Sequence, residues 1–148
     1  MPLFSVDPSK GEPLFQQLVD AVKRAVATGA LEPGDRLPSV RELAADLLIN
    51  PNTIAKAFRE LETDGVTTTR KGTGTFVAER RPVLTCEERR RRLVEGLEGV
   101  LTAAACWGMD RTEARAVFEQ LLEKLRFQEA PDGRRDGGRP AGDKEARR

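Results

Sequence analysis

The sequence predicts a mainly α-helical chain with one small β-hairpin, and three observations carry that expectation. Apolar residues recur three and four positions apart along most of the chain, the period of one face of a helix. Helix starts are spelled out by Ser39 with Glu42, Thr85 with Glu88 and Asp110 with Glu113, a capping residue followed three positions later by an acid. Two short stretches rich in Val, Thr and Phe flank Lys71-Gly72-Thr73-Gly74, the pattern of two strands and a turn.

Residues 1–12 read as an N-terminal arm, punctuated by Pro2, Pro8 and Gly11. From Pro13 the spacing turns helical. Leu14, Leu18, Val22 and Ala25 form the stripe, and Gly29 stands where a glycine would end it. Glu32-Pro33-Gly34-Asp35 is a turn. The Ser39 box opens a short helix with Val40, Leu43, Ala44 and Leu47 inward. Asn50-Pro51 opens the next, because Asn is a favoured cap and Pro at the first helical position loses no needed donor. Ile54, Ala57, Phe58 and Leu61 are its inward stripe, and Gly65 its stop. Val66 to Arg70 and Thr75 to Ala78 are the strands.

Arg80-Arg81-Pro82 marks a boundary between a 13–80 domain and an 81–129 region. In that region Leu93, Leu97, Val100, Ala104 and Trp107 form a seam of the coiled-coil type, with Leu101 beside it. Phe118, Leu121, Leu122 and Leu125 form a second seam, on a helix capped by Asp110. Two short helices cannot hide both seams within one chain of this size, so a C-terminal helical hairpin that dimerises is expected. Residues 130–148 hold only Gly, Pro, Ala and charge, and read as a disordered tail.

Composition excludes more than it assigns. The 148 residues carry 25 Lys/Arg against 24 Asp/Glu, a net charge of +1, so any nucleic-acid reading must come from placement and not from bulk charge. Histidine is absent, which removes the commonest general base and metal ligand. No cluster has metal-ligand spacing, and no activated nucleophile or paired carboxylates stand out, so no metal, cofactor or enzyme is expected. Cys86 and Cys106 form no CxxC and read as plain thiols. No apolar run is long enough to span a membrane, and Met1-Pro2-Leu3-Phe4-Ser5 lacks the basic start of a signal peptide, so a cytoplasmic location is expected.

The order helix, short helix, tight turn, helix, hairpin is the layout of a helix-turn-helix with a wing. Its second short helix can enter a major groove by its N-terminal end, where Asn50, Pro51, Asn52 and Thr53 stand; first-turn backbone amides there also favour a phosphate. Lys56 and Arg59 follow on the polar side, and Ser39 and Arg41 open the preceding helix. At the hairpin tip Arg70 and Lys71 adjoin Gly72 and Thr73, cations beside a residue that lets backbone come close. Double-stranded DNA is the expected partner. The alternative is a winged helix that docks proteins through the Asn50 helix. A small apolar effector would fit between the C-terminal helices near Trp107 and Met109, but no residue specifies one.

The stretch from Pro13 to Val77 resembles the GntR family of bacterial regulators. The matching residues are Pro13 to Gln17, Gly34 to Ala44, Asn50 to Ile54, Leu61-Glu62 and Gly72 to Val77. The resemblance implies a winged helix-turn-helix and a homodimer on a pseudo-palindromic operator, with DNA contacts at Arg41, at Asn50 through Thr53, and at Lys71 and Gly72. The short region after Arg81 resembles the small YtrA-type subfamily, whose two helices serve dimerisation and whose members often act as repressors. The family's arginine late in the recognition helix has no counterpart: Ala55 stands there, with Lys56 beside it. Where the family often has glycine in the turn, this chain has Leu48. A positive φ would cost leucine roughly 1–2 kcal/mol, so the expectation is a turn built slightly differently.

Overall fold

In the computed structural model, which describes residues 3–80 and 83–127, the core forms where three helices meet. These are α1 (Leu14–Thr28), α2 (Val40–Leu47) and α3 (Pro51–Thr63). The hairpin β1 (Thr67–Arg70) and β2 (Gly74–Val77) follows, then α4 (Cys86–Cys106) and α5 (Arg111–Lys124). The expected tail over 130–148 and the expected junction at Arg81-Pro82 lie outside the described residues.

The core follows the predicted stripes. Leu18, Val19 and Val22 of α1, Leu43 and Ala44 of α2, and Ile54, Ala57, Phe58 and Leu61 of α3 are all buried. Each large side chain among them contributes about 1.5–3 kcal/mol by leaving water. α3 packs on both α1 and α2 and on β1, which makes it the central element. Leu31, Leu37 and Ile49, from the connecting turns, complete the cluster.

Residues 4–12 are less of a free arm than the sequence suggests. Phe4 is buried in the core, and Gln17 of α1 holds the segment by accepting from the Asp7 amide (2.8 Å) and donating to the Asp7 and Glu12 carbonyls (both 2.9 Å). A single aromatic among prolines has no period, so nothing local marks it as core.

The predicted caps form. Ser39 Oγ accepts from the Glu42 amide (3.2 Å), and the Glu42 carboxylate accepts from the Ser39 amide (2.7 Å). Asn50 Oδ1 accepts from the Asn52 amide at 2.8 Å, with Pro51 in the first helical position. The Thr85 box closes on one side only: Thr85 Oγ accepts from the Glu88 amide, but the Glu88 carboxylate turns to Arg91 and Arg92. Two strong cations within reach outcompete one backbone amide.

The turn between α2 and α3 corrects the sequence expectation. Leu48 is not avoided by a different turn; it adopts φ 53°, ψ 43°, the left-handed conformation. The Leu48 and Ile49 amides both reach the Ala44 carbonyl, and the twist sends Ile49 into the core while Leu48 stays 92% exposed. The geometry needed to bury Ile49 overrides the local preference of leucine.

The hairpin pairs Thr67 with Val77 and Arg70 with Gly74. It gains a partial third strand that the sequence does not announce. The Val77 amide donates to the Asp35 carbonyl and the Leu37 amide to the Thr75 carbonyl, both at 2.8 Å, so the segment before α2 lies along β2. That lashes the wing to the start of α2.

The C-terminal helices form as expected, but neither belongs to an extensively packed pair of elements. Ala104 is the one buried residue of α4 among the described residues, and α5 has none. Leu97, Leu122 and Leu125 are half-buried, while Leu93, Val100, Leu101, Trp107, Phe118 and Leu121 stand exposed. The seams, which two short helices cannot hide within one chain, are accordingly uncovered among the described residues.

Two outcomes follow from the caps and the turn. Leu48→Gly relieves the left-handed strain and loses no packing, so it should raise stability by about 0.5–1 kcal/mol after glycine's entropic cost; urea unfolding measures it, and a midpoint lowered by that entropic cost rules the strain out. The Ser39 amide and hydroxyl hold the Glu42 carboxyl below its ordinary value. A depressed folded value means the stabilisation is complete above the unfolded glutamate pKa of about 4.3 and is lost as pH falls through the folded value. Stability of the native chain minus that of Glu42→Gln, measured against pH, should therefore shrink below about pH 4.3.

Candidate nucleic-acid interface

Burying Ile54, Ala57, Phe58 and Leu61 turns the opposite side of α3 outward. Asn52, Lys56 and Arg59, four and three residues apart, run along that exposed side. At its N-terminal end Asn50, Pro51 and Asn52 are exposed and Thr53 is half-buried. The Asn52 side chain has no hydrogen-bond partner among the described residues, leaving its amide free to donate and accept.

The backbone amides of that first turn are less available than the sequence reading supposes. The Asn52 amide is held by Asn50 Oδ1, and the Thr53 amide by the Asn50 carbonyl at 2.9 Å. Proline has no amide to offer. What the helix end presents is its partial positive charge and the Asn52 and Thr53 side chains.

Arg41 lies in the first turn of α2, exposed, with no ion pair among the described residues. Ser39 is exposed, but its hydroxyl and amide are both engaged with Glu42 in the cap. α2 and α3 pack together, which brings these two helix starts into one unit.

The wing tip is built around Gly72, at φ 77°, a conformation glycine takes without strain. A β-carbon there would meet nothing within 4 Å, so the tip backbone is open on its outer side. Lys71 and Thr73 flank it, both exposed. Arg70 is more restrained than Lys71: its guanidinium lies 4.7 Å from the Phe76 ring centre and 3.4 Å from Glu79. Lys56 also has a resident neighbour, its Nζ lying 3.7 Å from the Phe15 ring centre on α1. Both keep their charge, but each must give up a contact to reach a phosphate. Arg59 is unpaired among the described residues and lies about 10 Å along α3 from Asn52, at 1.5 Å per residue.

Sequence reading passes over Arg36. It is exposed, sits where the partial third strand meets β2, and lies against Gly74, where a β-carbon would come 3.0 Å from its Nε. It also lines a groove with Glu42, between the segment before α2 and α2 itself. Only the strand pairing brings it there; a lone arginine before a proline-containing turn carries no such signal.

The Arg89 to Arg92 run lies on a solvated helix face. Arg91 bridges Glu88 and Glu95, and Arg92 bridges Glu88, at 2.7–2.9 Å. Trp107 is 78% exposed, so no enclosed effector site forms around it among the described residues. No helix among the described residues is long and apolar enough to cross a membrane, and no group of three or more acids or cysteines among them could hold a metal ion.

Comparison with known proteins agrees with this geometry. Residues 14–77 match the model of the bacterial regulatory proteins of the gntR family. The chain is 34% identical over 108 residues to the HTH-type transcriptional repressor YtrA of Bacillus subtilis, covering 73% of this chain and 83% of that protein. Among solved structures, a protein described as a transcriptional antiterminator from Listeria monocytogenes superposes with a TM-score of 0.72 at 27% identity, over 88% of this chain and 97% of that one. YtrA from Sulfolobus acidocaldarius, a GntR-family transcription factor, superposes with a TM-score of 0.52 at 29% identity, over 65% and 98% of the two chains. These relatives are transcription regulators and not enzymes. With its polar recognition-helix face, glycine-tipped wing and short C-terminal helices, the chain belongs to the GntR family of DNA-binding transcriptional regulators and follows the small YtrA-like plan.

Proposed function

We propose that the chain is a cytoplasmic repressor that binds a pseudo-palindromic operator as a homodimer. The observation that carries the reading is the division of α3: one side wholly buried, the other polar and open from Asn52 to Arg59. Residues 13–80, with the docked segment before them, are the reading head, and 81–129 the dimerisation region. Asn52 and Thr53 meet base edges or phosphates, and Arg41 and Ser39 approach from the start of α2. Lys71, Gly72 and Thr73 grip the backbone from the wing. Arg36, Lys56, Arg59 and Arg70 add charge around that centre.

The uncovered seams support a second copy as partner. Leu93, Val100, Leu101, Trp107, Phe118 and Leu121 are large apolar groups left in water by the single chain, which a soluble monomer rarely tolerates together. A two-fold pair would set two recognition helices about 34 Å apart, one helical turn of DNA. A small-molecule effector would act by changing that separation or angle.

Arg41→Ala should weaken binding to the cognate duplex by about 1–3 kcal/mol if it reads a base. Lys71→Ala should weaken all duplexes alike and lower the salt slope by about one unit. Titration across salt concentrations checks both, and binding indifferent to salt would favour a protein-docking role instead. Val100→Asp, a change at a 65% exposed position, should leave the fold intact and shift sedimentation from dimer to monomer. A wild-type monomer at micromolar concentration would end the dimer reading.

A further inference from the structure

Arg126, just beyond α5, closes the chain back onto the reading head. Its backbone amide donates to the Ala27 carbonyl at 2.7 Å, taking up an end carbonyl of α1. Its guanidinium donates to Glu32 at 2.7 Å, across 94 residues of sequence. The same guanidinium rests against Gly29, where any β-carbon would collide with it. Leu125 and Phe127, on either side, line a hollow with Val26 and Val66 of the head.

This clasp matters because of what else joins the two regions. α4 leaves the head through the segment after β2, where Leu84 and Arg92 line a hollow with Thr67 and Ala78 of the head, and attachment at that one end still permits swivelling. A second attachment at the far end of α5 removes that freedom. α1 packs along α3, so a fixed α5 is a fixed recognition helix. α5 also carries Phe118 and Leu121, two of the six exposed seam residues.

We infer that Arg126 is a positioning residue: by clasping α5 to the last turn of α1 it sets the angle of each reading head to the dimer seam, and so the half-site spacing the protein accepts. This rests on the homodimer reading above. Gly29 then has two uses, ending α1 in the left-handed conformation and leaving room for the guanidinium.

The test uses the full chain, the duplex it selects from a random pool, the same duplex with base pairs inserted between its half-sites, and a single half-site. Arg126→Glu should remain a dimer by sedimentation and bind the single half-site unchanged. Its preference for the native spacing over the altered one should fall about fivefold, the scale an exposed ion pair can reach. Arg126→Ala should fall in the same direction. Adding Glu32→Arg to Arg126→Glu should restore most of the preference, which a merely structural role would not predict. An unchanged spacing preference in Arg126→Glu, or a double variant as permissive as the single, overturns the inference while the dimer stands. A wild-type monomer overturns both, and sedimentation alone reports it.

Discussion

The packing of one side of α3 against α1 and α2 governs the rest of this molecule. Leu61 and Ile54 are fully buried, and with Ala57 and Phe58 they leave α3 no rotational freedom about its axis. A helix so fixed must present Asn52, Lys56 and Arg59 to solvent, because side chains on a helix are locked in phase with one another. The polar, exposed side of α3 is thus the consequence of the core, and a one-residue slip in the stripe would bury those residues. Every other feature of the site is arranged around that fixed axis.

The tight turn before α3 exists to satisfy it. Ile49 must enter the core one residue before the Asn50 cap, and the chain achieves this by placing Leu48 in a left-handed conformation. The strain is tolerated because burying Ile49 and forming the cap outweigh it. On the other side, the segment from Asp35 to Leu37 pairs with β2 and continues into the Ser39 cap. Wing and α2 are therefore one connected unit, and Arg36 occupies the join.

The C-terminal helices obey a different balance. Their cap side chains engage and α4 pairs Glu88 with Arg91 and Arg92, yet their apolar residues find little to cover them. Helices of this kind are stable as secondary structure only when some further surface packs on them. Within the chain, Arg126 and its neighbours supply one such attachment, to α1, and it is far too small to cover the seams.

Most of the element order and the core stripes were legible in the residues themselves. Periodicity, three caps and a glycine-tipped turn are local signals, because capping and helical phase depend on residues within four positions of each other. The exposure of Asn52, Lys56 and Arg59 followed from the same phase. Four things were not legible: the left-handed Leu48, the buried Phe4, the strand-like run at Arg36 and the Arg126 clasp. Each arises from contacts between segments far apart in the chain, where the gain from burial or pairing exceeds a local preference. Sequence alone determined which helices form and which of their sides are apolar; tertiary packing decided how those sides meet, because only the assembled core can make a strained turn or a distant ion pair favourable.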